Sequence, residues 1–280
     1  MNELCFPRTT RRTLLKLAGL SLADLAQPGR YDVGLWLYGH RVGKRTGTGE
    51  RHWRVPAEVQ ASLERQGIWP NNDVEEVIAP RRLNAQSYGA FEAALSPQLG
   101  WGVTPLYQAM TQAMEKGFPS PEEVGNRPRW LVVVTDGVNE VDQLQGQPPL
   151  PRAYSLADVE AALVRDAQRY QEPLRLCMVF CAPPPSEPEK AAQYAQLKRL
   201  ADSAERGRQF VERPEADQII NALRDSLGLR EFVLLEESAT VGQRERGRAP
   251  LGTAVRVPPP FASDMRFRVE LASLPQVAPA

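Results

Sequence analysis

An unbroken apolar run that leads into a polar turn constrains the fold of this chain more than any other feature. Residues Leu131 to Val134 read Leu-Val-Val-Val, and Thr135, Asp136 and Gly137 follow them directly. A short apolar run without alternation is typical of a strand buried on both faces, as in a parallel sheet that helices cover. The turn then places Asp136 at the carboxyl end of that strand, which is the edge where open α/β sheets bind ligands.

Further strand and helix signals alternate along the chain. Apolar runs at Tyr31–Tyr38 and Leu174–Cys181 predict two more buried strands, and Asp73–Ala79 and Gln209–Val211 predict shorter ones. Helical patterns are predicted at 88–95, from a Thr104 N-cap and Pro105 onward, at 155–170, 187–204 and 215–227. Strands that alternate with helices indicate an α/β fold with a Rossmann-like, doubly wound, mostly parallel sheet.

The pattern predicts three regions along the chain. Residues 41–72 are polar and glycine-rich near their start, so they are interpreted as a loop or an excursion outside the core. After Gly228 the helices stop, and strands are predicted at Glu231–Glu236, Ala254–Val257 and Arg266–Leu271. We therefore expect an α/β domain over 1–228, a small β-rich extension over 229–273, and a disordered tail over 274–280.

Composition and motifs exclude several classes of function. Lys plus Arg and Asp plus Glu are each 34, so the formal net charge is zero and no nucleic-acid footprint is predicted. No apolar run reaches the ~18 residues that a membrane span needs. The chain has no Walker loop, no dinucleotide-binding glycine motif and no G-x-S-x-G elbow. Its only histidines are His40 and His52, and His40 is expected to pack or hydrogen-bond locally.

The sequence does not determine the cellular compartment of the protein. The segment from Thr10 to Ala26 resembles a twin-arginine export signal, but its apolar residues also fall at helical spacing with Asp24 interrupting the apolar core, which favours an amphipathic helix. A cytoplasmic location is slightly favoured and twin-arginine export is the alternative. Cys177 and Cys181 share one face of a predicted strand but lie too far apart for a disulfide, so they are interpreted as small buried residues.

Three segments, in this order, resemble the von Willebrand factor A family. Val33–Arg41 resembles its second strand, and Gly102–Ala109 resembles its G-x-T-P-L-x-x-A turn from loop to helix. Leu131–Gly137 resembles its fourth strand and T-D-G loop. The resemblance covers roughly residues 10–228. It implies a protein-binding module rather than an enzyme.

The resemblance also implies a metal site. In that family three loops at the carboxyl edge of the sheet hold a divalent cation, usually Mg²⁺, which an acidic residue of a protein partner completes. By resemblance, Thr104 would bind Mg²⁺ (or Mn²⁺) through its hydroxyl and Asp136 mostly through water. Mg²⁺ requires six oxygen ligands in near-octahedral geometry.

The chain departs from the family pattern at its first metal loop. The family motif D-x-S-x-S occurs nowhere in the sequence. Our hypothesis is that Met1 corresponds to a Met that often follows this motif, so that the first, central strand of the sheet is lacking. That strand would pair with the Val33 strand on one side and the Leu131 strand on the other. Metal binding is then expected to be weak or absent.

The sequence is compatible with three functions. The first is a module that binds a protein partner through its loop edge, with a degenerate or truncated metal site. The second is a hydrolase-type α/β enzyme that uses Asp136 at a strand end, although no second catalytic carboxylate or nucleophile follows a recognisable pattern. The third is a non-functional fragment of a larger protein.

Overall fold

The structure is a computed structural model, which describes residues 32–44, 51–53, 55–95, 103–140, 147–150, 152–202, 208–212, 231–238, 242–250 and 266–271. Contacts within the chain group it into two compact units, residues 1–220 and 221–280. The predicted helix at 10–26, the helix at 215–227, the strand at 254–257 and the tail at 274–280 lie outside the described residues.

The first unit is a mixed α/β structure. Its strands are β1 (Asp32–Tyr38), β2 (Val42–Lys44), β3 (Arg51–Trp53), β4 (Val74–Arg82), β5 (Trp130–Thr135), β6 (Arg175–Phe180) and β7 (Arg208–Glu212). Its helices are α1 (Ala57–Arg65), α2 (Ala85–Leu95), α3 (Leu106–Lys116), α4 (Pro121–Val124), α5 (Leu156–Arg169) and α6 (Pro188–Ala201), with a 3₁₀ turn at Pro70–Asn72.

A three-stranded parallel sheet forms in the order β5-β6-β7. The strand predictions at 131–134, 174–181 and 209–211 are confirmed. The side chains of Leu176 to Phe180 in the middle strand are at most 1% exposed, because β5 and β7 flank it and helices cover it. Cys177 is buried as expected, whereas Cys181 follows the strand and is only partly buried.

A separate antiparallel pair joins β1 to β4. Both predicted strands are confirmed, and β4 runs on to Arg82. The expected burial of β1 and β5 on both faces is wrong, since most of their apolar side chains are only partly buried. Among the described strands, β1 pairs only with β4 and β5 only with β6.

Helix α3 lies against both sheets. Leu106, Met110 and Met114 fall on one face at a spacing of four residues and are buried, and the helix contacts β1, β4 and β5. The predicted N-cap is wrong by one residue. Pro105 occupies that position, and Thr104 instead contributes its carbonyl oxygen, which accepts a hydrogen bond from the Leu106 amide at 2.8 Å.

The segment 41–72 is more structured than predicted. It contains the β2–β3 hairpin, helix α1 and the 3₁₀ turn. The Arg51 guanidinium lies 3.8 Å from the centre of the Trp69 ring and 5.4 Å from that of Trp53. This cation–π contact joins the hairpin to the chain that precedes the 3₁₀ turn.

The second unit contains a three-stranded antiparallel sheet. Its strands β8 (Glu231–Ser238), β9 (Gly242–Pro250) and β10 (Arg266–Leu271) lie in the order β10-β8-β9. The first and third strands confirm the prediction. Strand β9 was not predicted, because its sequence has no alternation of apolar and polar residues. Backbone pairing with β8 defines it as a strand.

Candidate functional site

Thr104 and Asp136 lie at the same edge of the first unit. Asp136 is the first residue beyond β5, and Thr104 lies in the loop that enters α3. The two loops approach closely, because a Cβ atom on Gly137 would stand 3.3 Å from the Thr104 hydroxyl oxygen. A side chain at position 137 would therefore crowd Thr104. This close approach explains why glycine suits the third position of the T-D-G turn.

Two hydrogen bonds tie these loops together. The Glu140 amide donates to the Thr104 carbonyl at 2.9 Å, and the Tyr107 amide donates to the Asn139 side-chain oxygen at 2.9 Å. Tyr107 and Asn139 are both buried. The Tyr107 amide lies in the first turn of α3, where no helix carbonyl is available as its acceptor. The Asn139 side chain supplies that acceptor. Sequence reasoning missed Asn139 and Glu140, since no local pattern predicts a contact between these loops.

The turn that carries Asp136 is fixed by Thr135. Its hydroxyl donates to the Gly137 carbonyl at 2.8 Å, and the Gly137 amide donates to the Thr135 hydroxyl oxygen at 3.3 Å. The Thr135 carbonyl accepts the Cys181 amide at 2.8 Å, which extends the ladder between β5 and β6. The Asp136 backbone is thus held by a side-chain turn on one side and a sheet bond on the other.

Cys181 shares this edge and is chemically quiet. Burial, together with the negative charge of Asp136, raises the pKa of its thiol to about 12. The thiol is consequently protonated at neutral pH, and a protonated thiol is a poor nucleophile and a poor metal ligand.

The carboxyl end of β1 adds a polar cluster to the same edge. The buried carboxylate of Asp73 accepts hydrogen bonds from the Arg41 amide at 2.7 Å, the Arg41 Nε at 2.6 Å and the Val42 amide at 3.1 Å. His40 is buried and its Nε2 lies 2.9 Å from Glu75, which confirms its predicted local role. The hydrogen bond with His40 and the charge of Arg41 hold the pKa of Glu75 below its ordinary value, against the effect of burial.

The described residues offer few ligands for a metal ion. A hydroxyl from Thr104 and a carboxylate from Asp136 are oxygen donors of the kind that Mg²⁺ prefers. In the described part of the chain no group of three or more His, Cys, Asp or Glu side chains is placed to hold an ion. Two side-chain oxygens fit the chemistry of the ion but leave most of its coordination to water.

Comparison with known proteins identifies no relative of this chain. No family model, curated protein or solved structure matches this chain. None of the helices in the described ranges has the length and apolar character that a membrane crossing requires.

Proposed function

We propose that this chain is a protein-binding module, similar to a von Willebrand factor A domain, that recognises its partner through the carboxyl edge of β1 and β5 and is not an enzyme. In this proposal β1–β4 and β5-β6-β7 are two parts of one Rossmann-like, mostly parallel sheet in a domain over 1–228. The β extension over 229–273 and the tail over 274–280 are accessory to it.

One observation carries the proposal. Thr104 and Asp136 come from separate loops, and those loops are joined by a buried hydrogen bond from Tyr107 to Asn139 and by a backbone hydrogen bond from Glu140 to Thr104. Loops fixed in this way present a pre-organised surface, which lowers the entropic cost of binding a partner. The high thiol pKa of Cys181 speaks against nucleophilic catalysis by this residue at the edge.

A divalent cation would assist this recognition weakly. The Thr104 hydroxyl and the Asp136 carboxylate would hold Mg²⁺ or Mn²⁺, and an acidic side chain of the partner would supply a further oxygen. When bound, the ion would supply positive charge to an acidic partner. Because two protein oxygens leave most ligand positions to water, we expect low affinity for the ion alone.

Calorimetric titration with Mn²⁺ tests the proposal. The folded wild-type chain should bind the ion weakly, and Thr104→Val and Asp136→Asn should each abolish the binding. Glu122→Gln is the matched control, since this exposed carboxylate lies in α4, which precedes the amino end of β5. A labelled alanine-based peptide with one central glutamate should then bind in a Mn²⁺-dependent manner. Equal Mn²⁺ binding by wild type and Asp136→Asn would contradict the proposal.

A further inference from the structure

The backbone of β5 presents hydrogen-bonding groups in two directions. The carbonyls of Arg129 and Thr135 accept amides of the β6 strand region, from Arg175 at 3.0 Å and Cys181 at 2.8 Å. Because backbone direction alternates along a strand, the amides and carbonyls of Trp130, Val132 and Val134 face away from β6. No described strand pairs with that edge.

Strand β1 presents a second edge of the same kind. The Gly39 amide donates to the Asp73 carbonyl at 2.8 Å, and the register continues as Leu37 opposite Glu75. The same alternation directs the backbone of Trp36, which precedes Leu37, away from β4, and the register shifts by one residue between Trp36 and Leu35. Within the described ranges, β4 is the only strand paired with β1.

These two edges belong to strands that lie side by side and run in the same direction. At their amino ends an Arg127 guanidinium nitrogen lies 2.9 Å from the Asp32 carboxylate. At their carboxyl ends the Tyr38 hydroxyl donates to the Val134 carbonyl at 3.0 Å. Side chains thus bridge the strands at both ends. Such bridges fit a separation of roughly 10 Å, which is two strand spacings.

The two strands that flank this gap carry apolar side chains. Trp36 and Leu37 of β1 and Val132 and Val134 of β5 are only partly buried, whereas Leu176 to Phe180 of β6 are almost completely buried. Helix α3 contacts both β1 and β5 and so spans the gap on one face. An apolar strand between β1 and β5 would exclude water from these side chains and would pair with both backbone edges.

We propose that the gap between β1 and β5 binds one extended, apolar strand of a partner polypeptide, which runs parallel to both. Backbone hydrogen bonds on two sides demand an extended peptide, and the lining demands apolar side chains, as in recognition by β-augmentation. The inserted strand would take over the Val134 carbonyl from the Tyr38 hydroxyl. This site lies along the strands and needs no metal, so it goes beyond the proposed function and the two can fail separately.

A synthetic probe tests the proposal on the full chain. The probe is a fluorescein-labelled peptide of seven alternating valine and isoleucine residues, matching the seven residues of β1, with a lysine at each end. Fluorescence anisotropy should show saturable binding without Mn²⁺. The same peptide with alternate backbone amides N-methylated should bind at least tenfold more weakly, because it cannot donate to one of the two edges.

Variants at the gap locate the binding. Val132→Pro removes an amide that faces the gap and leaves the β6 ladder intact, so affinity should fall about tenfold. Val132→Thr keeps the amide and the branched shape and should bind like wild type. Tyr38→Phe should bind as tightly or more tightly, because the hydroxyl no longer competes for Val134. If the folded wild-type chain does not bind the peptide, the proposal is overturned. A gap that is filled by another segment of this chain or by a second copy would give this result. Equal binding of the N-methylated peptide would overturn it as well.

Discussion

Breaking the buried ion pair at the amino end of β5 should cost more stability than breaking any exposed pair in the first unit. Arg129 and Asp166 have side chains that are 4% and 3% exposed, and they form a two-pronged contact that includes a hydrogen bond of 2.8 Å. Arg129 also donates to the Glu172 carbonyl at 2.8 Å and lies 3.5 Å from the centre of the Tyr170 ring. This arrangement anchors the start of the strand that carries Asp136 at its other end.

The substitution Asp166→Asn keeps the shape of the side chain but leaves the Arg129 charge buried without its counter-ion. Breaking a buried pair in this way costs about 3–5 kcal/mol, whereas Glu115→Ala, which breaks the exposed Arg165 pair, should cost at most about 1 kcal/mol. Urea unfolding followed by tryptophan fluorescence measures both values. Replacing the pair together, Arg129→Met with Asp166→Leu, should recover most of the loss. The reasoning is refuted if Asp166→Asn costs no more than Glu115→Ala.

Four further predictions concern the site and its supports. Gly117→Ala should lower stability by about 1–3 kcal/mol in urea unfolding, because the new Cβ would lie 2.5 Å from the Ala113 carbonyl and 2.9 Å from the Trp36 ring nitrogen. Gly137→Ala should weaken Mn²⁺ binding in calorimetry with little change in melting temperature, since its Cβ displaces the Thr104 hydroxyl; unchanged binding would contradict this. The depressed pKa of Glu75 contributes stability above its ordinary value of 4.5 and loses it as pH falls through the lower folded-state pKa, so thermal melts of wild type and Glu75→Gln should differ at pH 7 and converge in acid. With its pKa near 12, Cys181 should react with iodoacetamide at pH 8 far more slowly than an unfolded control, and mass spectrometry of peptides would reveal any fast labelling.

Apolar runs made most of the first unit predictable. The segments that form β1, β5 and β6 are apolar because they pack against helices. Helix α3 has an apolar stripe, and Ser155 marks the start of α5. Strands such as β2, β3 and β9 were not predictable in this way. They are short or charged, and their pairing with a neighbouring strand, rather than side-chain burial, defines them.

The site was predictable only in part. The resemblance named Thr104 and Asp136, and the structure places their loops at one edge, but the contacts that join the loops involve Asn139 and Glu140. Those contacts connect residues far apart in sequence, so no periodicity or spacing could indicate them. The apolar runs alone did not predict the incomplete burial of β1 and β5, because an apolar strand sequence does not specify which neighbours are present.

Binding at the carboxyl edge is tested most directly by nuclear magnetic resonance of the ¹⁵N-labelled chain during titration with Mn²⁺. A bound Mn²⁺ ion broadens the amide signals of nearby residues. The account predicts early and selective broadening for the loops around Thr104 and Asp136, which Asp136→Asn abolishes. Broadening that is uniform, or that is centred on carboxylates away from this edge such as Glu122, would contradict the assignment of the edge as the binding site.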